Sequence, residues 1–318
     1  VHIVCGVTSY LITGGTGSLG QALTRRLLAS ADTSRIIVYS RSEKTQAAMR
    51  AELPDPRLEF HLGCITERRR LRRSLRAFPD VVIHAAAMKR VEACERQPDE
   101  AIRINVEGTR NVCEAACDFN IGKVLVISSD KAAESVTTYG ATKAMAENLA
   151  LRWEALKGWS ETKIVVLRYG NVYDSAGAVL HAFRQARDEG RPVRVTHADM
   201  TRFWWSVEAA AAFVESVRDR MGHAQIWIPK IGAAKVTDLA AAVYPNARIE
   251  VTGLRGIEKL HEVMLSADES RLAFELPDAY VIAPTHYSSI PEGGTPVPEG
   301  FRYASDTAPA ADLSEVAA

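Results

Sequence analysis

Thr13-Gly14-Gly15-Thr16-Gly17-Ser18-Leu19-Gly20 follows a short apolar run, Tyr10-Leu11-Ile12, and opens a stretch with apolar residues at helical spacing from Leu19 to Leu28. The spacing Gly14, Gly17, Gly20 is G-x-x-G-x-x-G. A turn between strand and helix needs residues without Cβ so that its backbone can approach a pyrophosphate, and the helix N-terminus then faces the negative charge. Gly14, Thr16, Gly17, Ser18, Leu19 and Gly20 are therefore candidate dinucleotide-phosphate ligands.

Working outward, strand-like runs recur between helical patterns. Arg35–Tyr39, Leu58–Leu62, Val81–His84, Lys123–Ile127 and Lys163–Leu167 are rich in Val, Ile and Leu. Alternation of this kind predicts an α/β fold, a Rossmann-type doubly wound parallel sheet whose strands are covered on both faces. After about residue 170 the pattern loosens. The expected division is an NAD(P)-binding domain over 9–170, to which later strands or helices also contribute, a smaller C-terminal substrate-binding lobe over 171–290, and an extended tail over 291–318. The tail is rich in Pro, Gly, Ser and Ala, and is expected to be poorly ordered unless a partner subunit covers it.

The second strand ends in Ser40-Arg41-Ser42-Glu43-Lys44. An acidic residue there grips the ribose hydroxyls of NAD. An arginine with Ser40 and Lys44 beside it suits a 2′-phosphate, so NADP is the expected cofactor, with NAD the alternative if Glu43 faces the ribose.

Tyr139 and Lys143 form Y-x-x-x-K and share one helix face. A free tyrosine has a pKa of ~10. A nearby ammonium lowers it, so that Tyr139 can take a proton from a hydroxyl as hydride leaves the same carbon. Ser129, at the end of the fifth strand, can hydrogen-bond the reacting oxygen. Asp130 and Lys131 add an acid and a base that a simple reductase or epimerase does not need, and they point to an elimination.

Hydrophobic residues make up 47% of the 318 residues and the formal net charge is zero, which gives no bulk electrostatic attraction for nucleic acid or an anionic membrane. The arginine run Arg68–Arg76 carries Leu71, Leu75 and Phe78 at helical spacing, so it is read as the wet side of an amphipathic helix. Five cysteines, an odd number at low density, predict free thiols and a reducing cytoplasmic setting. Cys113 and Cys117 lack a second ligand pair, and no metal site is expected. No apolar run approaches the ~20 residues that span a bilayer, and Val1–Val7 does not read as a signal peptide.

Taken together, these motifs with His84-Ala85-Ala86-Ala87-Met88-Lys89, Arg168-Tyr169-Gly170-Asn171-Val172, Asp199–Trp204 and Glu258–Glu262 resemble an extended short-chain dehydrogenase. More narrowly, they resemble the inverting UDP-N-acetylglucosamine 4,6-dehydratases and related capsular polysaccharide proteins, over residues 9 to 305. The resemblance implies a three-step reaction on a nucleotide sugar. Tyr139 takes the C4 hydroxyl proton as hydride leaves C4. Lys131 removes the C5 proton and Asp130 protonates the departing C6 hydroxyl. Hydride then returns to C6 and a proton to C5 on the opposite face. It further implies cofactor contacts from Cys64, Ile65, Ala85, Ala86, Ala87 and Lys89, and substrate contacts from Lys89, Asn171, Arg202, Arg255 and Glu258, with Arg255 the leading diphosphate ligand. It also implies a homodimer or larger assembly through the helices flanking the Tyr-Lys motif.

The sequence departs from the family at Gly63-Cys64-Ile65, where an acidic residue usually faces the adenine. It departs again at Tyr173-Asp174-Ser175-Ala176-Gly177, which lacks the usual arginine, and at Arg255-Gly256-Ile257. These changes suggest a specialised member. Two other readings stand beside the dehydratase. One is a nucleotide-sugar 4- or 5-epimerase. The other is a non-catalytic dinucleotide-binding regulator, which would have no use for Tyr139 and Lys143.

Overall fold

The computed structural model describes residues 7–156, 158–173, 179–256 and 258–316. The first half alternates β1 (Thr8–Thr13), α1 (Ser18–Ala29), β2 (Thr33–Ser40), α2 (Glu43–Glu52), β3 (Leu58–Leu62), α3 (Arg68–Leu75) and β4 (Val81–His84). Then come α4 (Val91–Arg96), α5 (Pro98–Ala101), a π-helical turn at Ile102–Glu107, α6 (Gly108–Asp118), β5 (Lys123–Ile127), a 3-10 turn at Asp130–Ala132, α7 (Thr138–Leu156) and β6 (Lys163–Leu167). Each strand expected from the sequence is present.

The second half contains β7 (Asn171–Val172), α8 (Val179–Asp188), β8 (Val193–Val195), β9 (Thr201–Trp205), α9 (Val207–Arg220), β10 (Gln225–Pro229), β11 (Ala233–Lys235), α10 (Val236–Val243) and β12 (Ile249–Val251). It closes with β13 (Val263–Leu265), β14 (Ala273–Glu275), β15 (Ala279–Ile282), β16 (Thr295–Pro296) and β17 (Tyr303–Ala304).

Among the described residues, ten strands form one sheet in the order β16-β14-β15-β10-β6-β5-β4-β1-β2-β3. The seven strands from β10 to β3 run parallel. The strand period of two sends alternate residues to opposite faces. Leu11, Val82, Val124 and Val126 pack with α6 and α7, whereas Tyr10, Ile12, Ile83 and Leu125 pack with α1 and α9. The order of strands reverses between β1 and β4, and such a point opens a ligand crevice at the strands' C-terminal ends.

Later segments are shared between sheet and lobe. Residues of β10, β14, β15 and β16 extend the main sheet beyond β6. The separate lobe is built on Leu180, Phe183, Trp204, Leu239 and Val243. The tail differs from expectation. It packs on its own chain: β16 pairs with β14 and β17 with β13, and the Tyr303 hydroxyl bonds both the amide and the carbonyl of Ile231. Val297, Tyr303, Ala304 and Val316 supply the buried apolar anchors, and these few residues are enough to order a segment otherwise poor in them.

The arginine run is an amphipathic helix, with Leu71 and Leu75 fully buried. Two of its arginines reach α6, Arg68 pairing with Glu114 and Arg72 with Asp118, while Arg69, Arg70, Arg73 and Arg76 are exposed. Phe78 is a correction. The helix ends at Leu75, Phe78 adopts a left-handed φ of 50°, and its ring is exposed against Phe119.

Candidate active site

A cleft of about 540 Å³ opens at the C-terminal ends of β1, β2, β4, β5 and β6. Gly14, Thr16, Gly17, Ser18, Leu19 and Gly20 form its floor. Gly14 has φ +69°, and a Cβ there would stand 2.8 Å from the Ala86 amide nitrogen, so only glycine lets the turn lie against the β4 loop. No side chain caps the N-terminus of α1 at Gly17. The Gln21 amide instead bonds the Thr16 carbonyl and fixes the turn from outside. An open helix end over a Cβ-free turn fits a dinucleotide pyrophosphate. Ala85, Ala86, Ala87 and Lys89 line the facing wall. Burial pulls the Lys89 pKa down, with Arg90 adding to it.

At the far end, Ser40, Arg41, Cys64 and Ile65 also border the cleft. Gln46 holds the Ser40 hydroxyl at 3.0 Å, and the Tyr39 hydroxyl donates to the Cys64 carbonyl at 3.0 Å. Arg41 is exposed at the rim. Lys44 is exposed on α2 and does not border the cleft.

The reactive groups meet where β5 turns into α7. Thr137 caps α7 by accepting from the Gly140 amide at 3.0 Å, and Glu95 accepts from the Thr138 amide and hydroxyl. This start aims Tyr139 and Lys143 into the cleft, and both are buried at its wall. Lys143 Nζ donates to the Ile127 carbonyl at 2.6 Å. Burial lowers its pKa to about 8, against the pull of Glu147. Tyr139 is pushed up to about 12 by burial, while the Lys131 charge and a hydrogen bond with Ser129 act the other way. Lys131 thus adds a cation acting on Tyr139 beside the Lys143 that the sequence pointed to. His84, behind the wall, lies between the Thr13 and Thr109 hydroxyls, and burial drops its pKa to about 3, so it is neutral.

Asp130 is fully buried, so it stands behind the cleft wall rather than on it. Its Oδ1 accepts from Ser129 Oγ at 2.8 Å and from Lys131 Nζ at 3.1 Å. Lys131 reaches the cleft and pairs on its other side with Glu262 at 3.1 Å. Burial opposes its charge, but Asp130 and Glu262 outweigh burial and hold the pKa above the ordinary lysine value.

The polysaccharide biosynthesis protein family matches this chain over residues 10–284. The chain belongs to that family. Among its relatives, the inverting UDP-N-acetylglucosamine 4,6-dehydratase of Campylobacter jejuni is 39% identical over 94% of this chain and 92% of its own length. A UDP-glucose 4-epimerase of Rickettsia rickettsii is 36% identical over 86% of this chain and 82% of its own. The X-ray structure of Pen from Bacillus thuringiensis superposes with a TM-score of 0.88 at 33% identity, covering 99% of this chain and 97% of that one. DesIV, a dTDP-glucose 4,6-dehydratase from Streptomyces venezuelae with NAD bound, shares the fold at a TM-score of 0.70 and 21% identity, over 79% of this chain and 86% of that one.

In this chain the predicted phosphate-turn residues, Ser40, Arg41, Ser129, Lys131, Tyr139, Lys143 and Asn171 border one cleft, whereas Lys44 and Asp130 do not. Three predicted substrate ligands do not border it. Arg202 is buried and donates to the carbonyls of Thr201, Lys259 and Leu260, which makes it a clamp on the lobe. Arg255 is exposed and pairs with Glu92 at 3.0 Å. Glu258 lies 4.0 Å from Arg202. Residues 174–177 and Ile257 of the departing loops lie outside the described residues.

Four contributors are not announced by the sequence. Ser42 and Thr45 line the cofactor rim. Glu262 was noted only as part of a motif. Asn105, in the π-helical turn, grips both the amide and the carbonyl of Met88 and also the Thr142 hydroxyl, tying the β4 loop to α7. A π-helical turn often marks a functional site, but nothing in the helical spacing announces one.

Proposed function

We propose that the chain is a nucleotide-sugar 4,6-dehydratase. Its substrate is UDP-N-acetylglucosamine or a related UDP-hexose, and its product is the 4-keto-6-deoxy sugar nucleotide with inversion at C5. The observation that carries this is the Asp130-Lys131 pair, held 3.1 Å apart beside Tyr139. Oxidation alone needs only Ser129, Tyr139 and Lys143; water loss needs the further acid and base.

A bound nicotinamide supplies the acceptor for the C4 hydride and its donor to C6. Tyr139 takes the C4 hydroxyl proton, with Ser129 bonding it and Lys131 favouring the phenolate. The resting Lys131 is an ammonium. One proton passed to Asp130 across their contact gives a neutral amine and a carboxylic acid, the two forms elimination requires. The amine then takes the C5 proton while Asp130, behind the wall, protonates the leaving hydroxyl through Ser129, which borders the cleft and contacts Asp130 at 2.8 Å.

The cofactor we propose is NADP. Support comes from the rim of hydroxyls and guanidinium at Ser40, Arg41, Ser42 and Thr45, which suits a phosphate better than bare ribose hydroxyls. We also place the enzyme in the cytoplasm as a homo-oligomer paired through α6 and α7. The thiols of Cys64, Cys94 and Cys113, which form no disulfide, suit a reducing compartment. The exposed Leu156 at the end of α7 and Trp159 just beyond it suit a covered surface.

Mass spectrometry of UDP-N-acetylglucosamine after incubation tests the activity. Loss of one water with the wild type, and none with Tyr139→Phe, is expected. An unchanged mass with C4 inverted would instead favour an epimerase, the reading raised by the Rickettsia relatives.

A further inference from the structure

Glu262 ends the segment that leads from the second lobe into β13, and it is 3% exposed. Its backbone amide donates to Ser305 Oγ at 2.9 Å. Its Oε1 and Asp130 Oδ1 each lie 3.1 Å from Lys131 Nζ. Its Oε2 is buried without a hydrogen-bond partner, as is Asp130 Oδ2. Such oxygens are costly to bury and call for a reason. The other cations nearby are further off and otherwise engaged. Arg202 Nε is 3.8 Å from Oε1, and its terminal nitrogens bond backbone carbonyls. Lys259 Nζ is 3.9 Å from Oε2 and bonds the Ala133 carbonyl. One carboxylate is enough to anchor a lysine; here there are two.

We propose that Glu262 is a positioning residue for C5 deprotonation, its carboxylate orienting the Lys131 amine and stabilising the ammonium that forms as the amine takes the C5 proton. This rests on the dehydratase reading. Once Lys131 has passed its proton to Asp130, Asp130 is neutral and no longer favours charge on Lys131. Glu262 is then the carboxylate in contact with the base. The C5 proton moves to the amine nitrogen and the C5–H electron pair becomes the C5=C6 bond. The C6–O bond breaks, and the hydroxyl leaves as water with the Asp130 proton. Lys131 ends as ammonium, Asp130 as carboxylate, and Glu262 keeps its charge throughout. The part resembles that of the aspartate in a serine-protease triad, which holds the base and stabilises its protonated form. Oxidation at C4 runs through Tyr139, which Glu262 reaches only through the charge on Lys131.

The test compares the wild-type holoenzyme with Glu262→Gln and Glu262→Asp, using UDP-N-acetylglucosamine and its C5-deuterated form. Single-turnover absorbance of the reduced cofactor reads C4 oxidation, and mass spectrometry reads water loss. Glu262→Gln keeps the shape without the charge. It is expected to slow C4 oxidation far less than water loss, which falls on the order of 10²-fold, with a C5 isotope effect larger than that of the wild type. Glu262→Asp, shorter but charged, is expected to recover part of the rate. The proposal is overturned if Glu262→Gln loses water as fast as the wild type, or faster than Glu262→Asp. It is equally overturned if both steps slow by the same factor, since Glu262 would then only support the fold. Absence of water loss in the wild type itself would instead refute the dehydratase reading, a result that no difference between variants can mimic.

Discussion

Arg41 stands at the end of β2 with Ser40, Ser42 and Thr45 around the same corner of the cleft. A charge-assisted bond from a guanidinium to a phosphate is worth about 1.5–3 kcal/mol. Arg41→Ala should therefore weaken NADP binding by about 10- to 100-fold and leave NAD binding nearly unchanged, as read by titration calorimetry with each dinucleotide. Equal loss for both would place Arg41 outside the 2′-phosphate site. Arg41 was legible because a β2 end has a known task in such folds. Ser42 and Thr45 were not, since the Ser42 hydroxyl also accepts from the Thr45 amide and so reads as an ordinary helix cap. Arg202 shows the opposite error. The family resemblance implied a substrate ligand there, and only the fold reveals that backbone carbonyls already bond the guanidinium.

The junction of the 3-10 turn at Asp130–Ala132 with α7 sets the catalytic geometry at the scale of elements. Gly140, one residue after Tyr139, faces the Lys131 carbonyl oxygen, and a Cβ there would overlap it. Gly140→Ala must push turn and helix apart. Misplacement by ~1 Å can cost 10²-fold in rate, so kcat should fall by about that factor in steady-state assays while cofactor affinity changes far less. Retention of full kcat would mean that the turn yields without moving Lys131. The helix itself was legible from its Tyr-Lys spacing; the close approach was not, because it joins two elements through backbone. Phe78 failed for a related reason. Periodicity continued past Leu75, but the chain turned left-handed there and left the ring outside.

Across the whole molecule, the parallel half of the sheet was legible strand by strand, because each strand is a local apolar run between helical patterns. The rest depends on distant pairing. Nothing local told that β14, β15 and β16 would complete the sheet, or that Tyr303 would clamp Ile231. The same long-range closure carries Glu262 to Lys131 and lets Arg168, after β6, bind Glu147 on α7 and Glu269 near β14. A buried network of that kind makes the site a product of the complete fold. It joins base, acid and tyrosine around one point, and the central claim is that this point removes water across C5 and C6. Incubation with UDP-N-acetylglucosamine in D₂O, followed by proton NMR, tests it most directly. The expected result is a 4-keto-6-deoxy product carrying deuterium at C5 with inverted configuration. Recovery of a hexose that still bears its C6 hydroxyl, with C5 protonated as before, would contradict it.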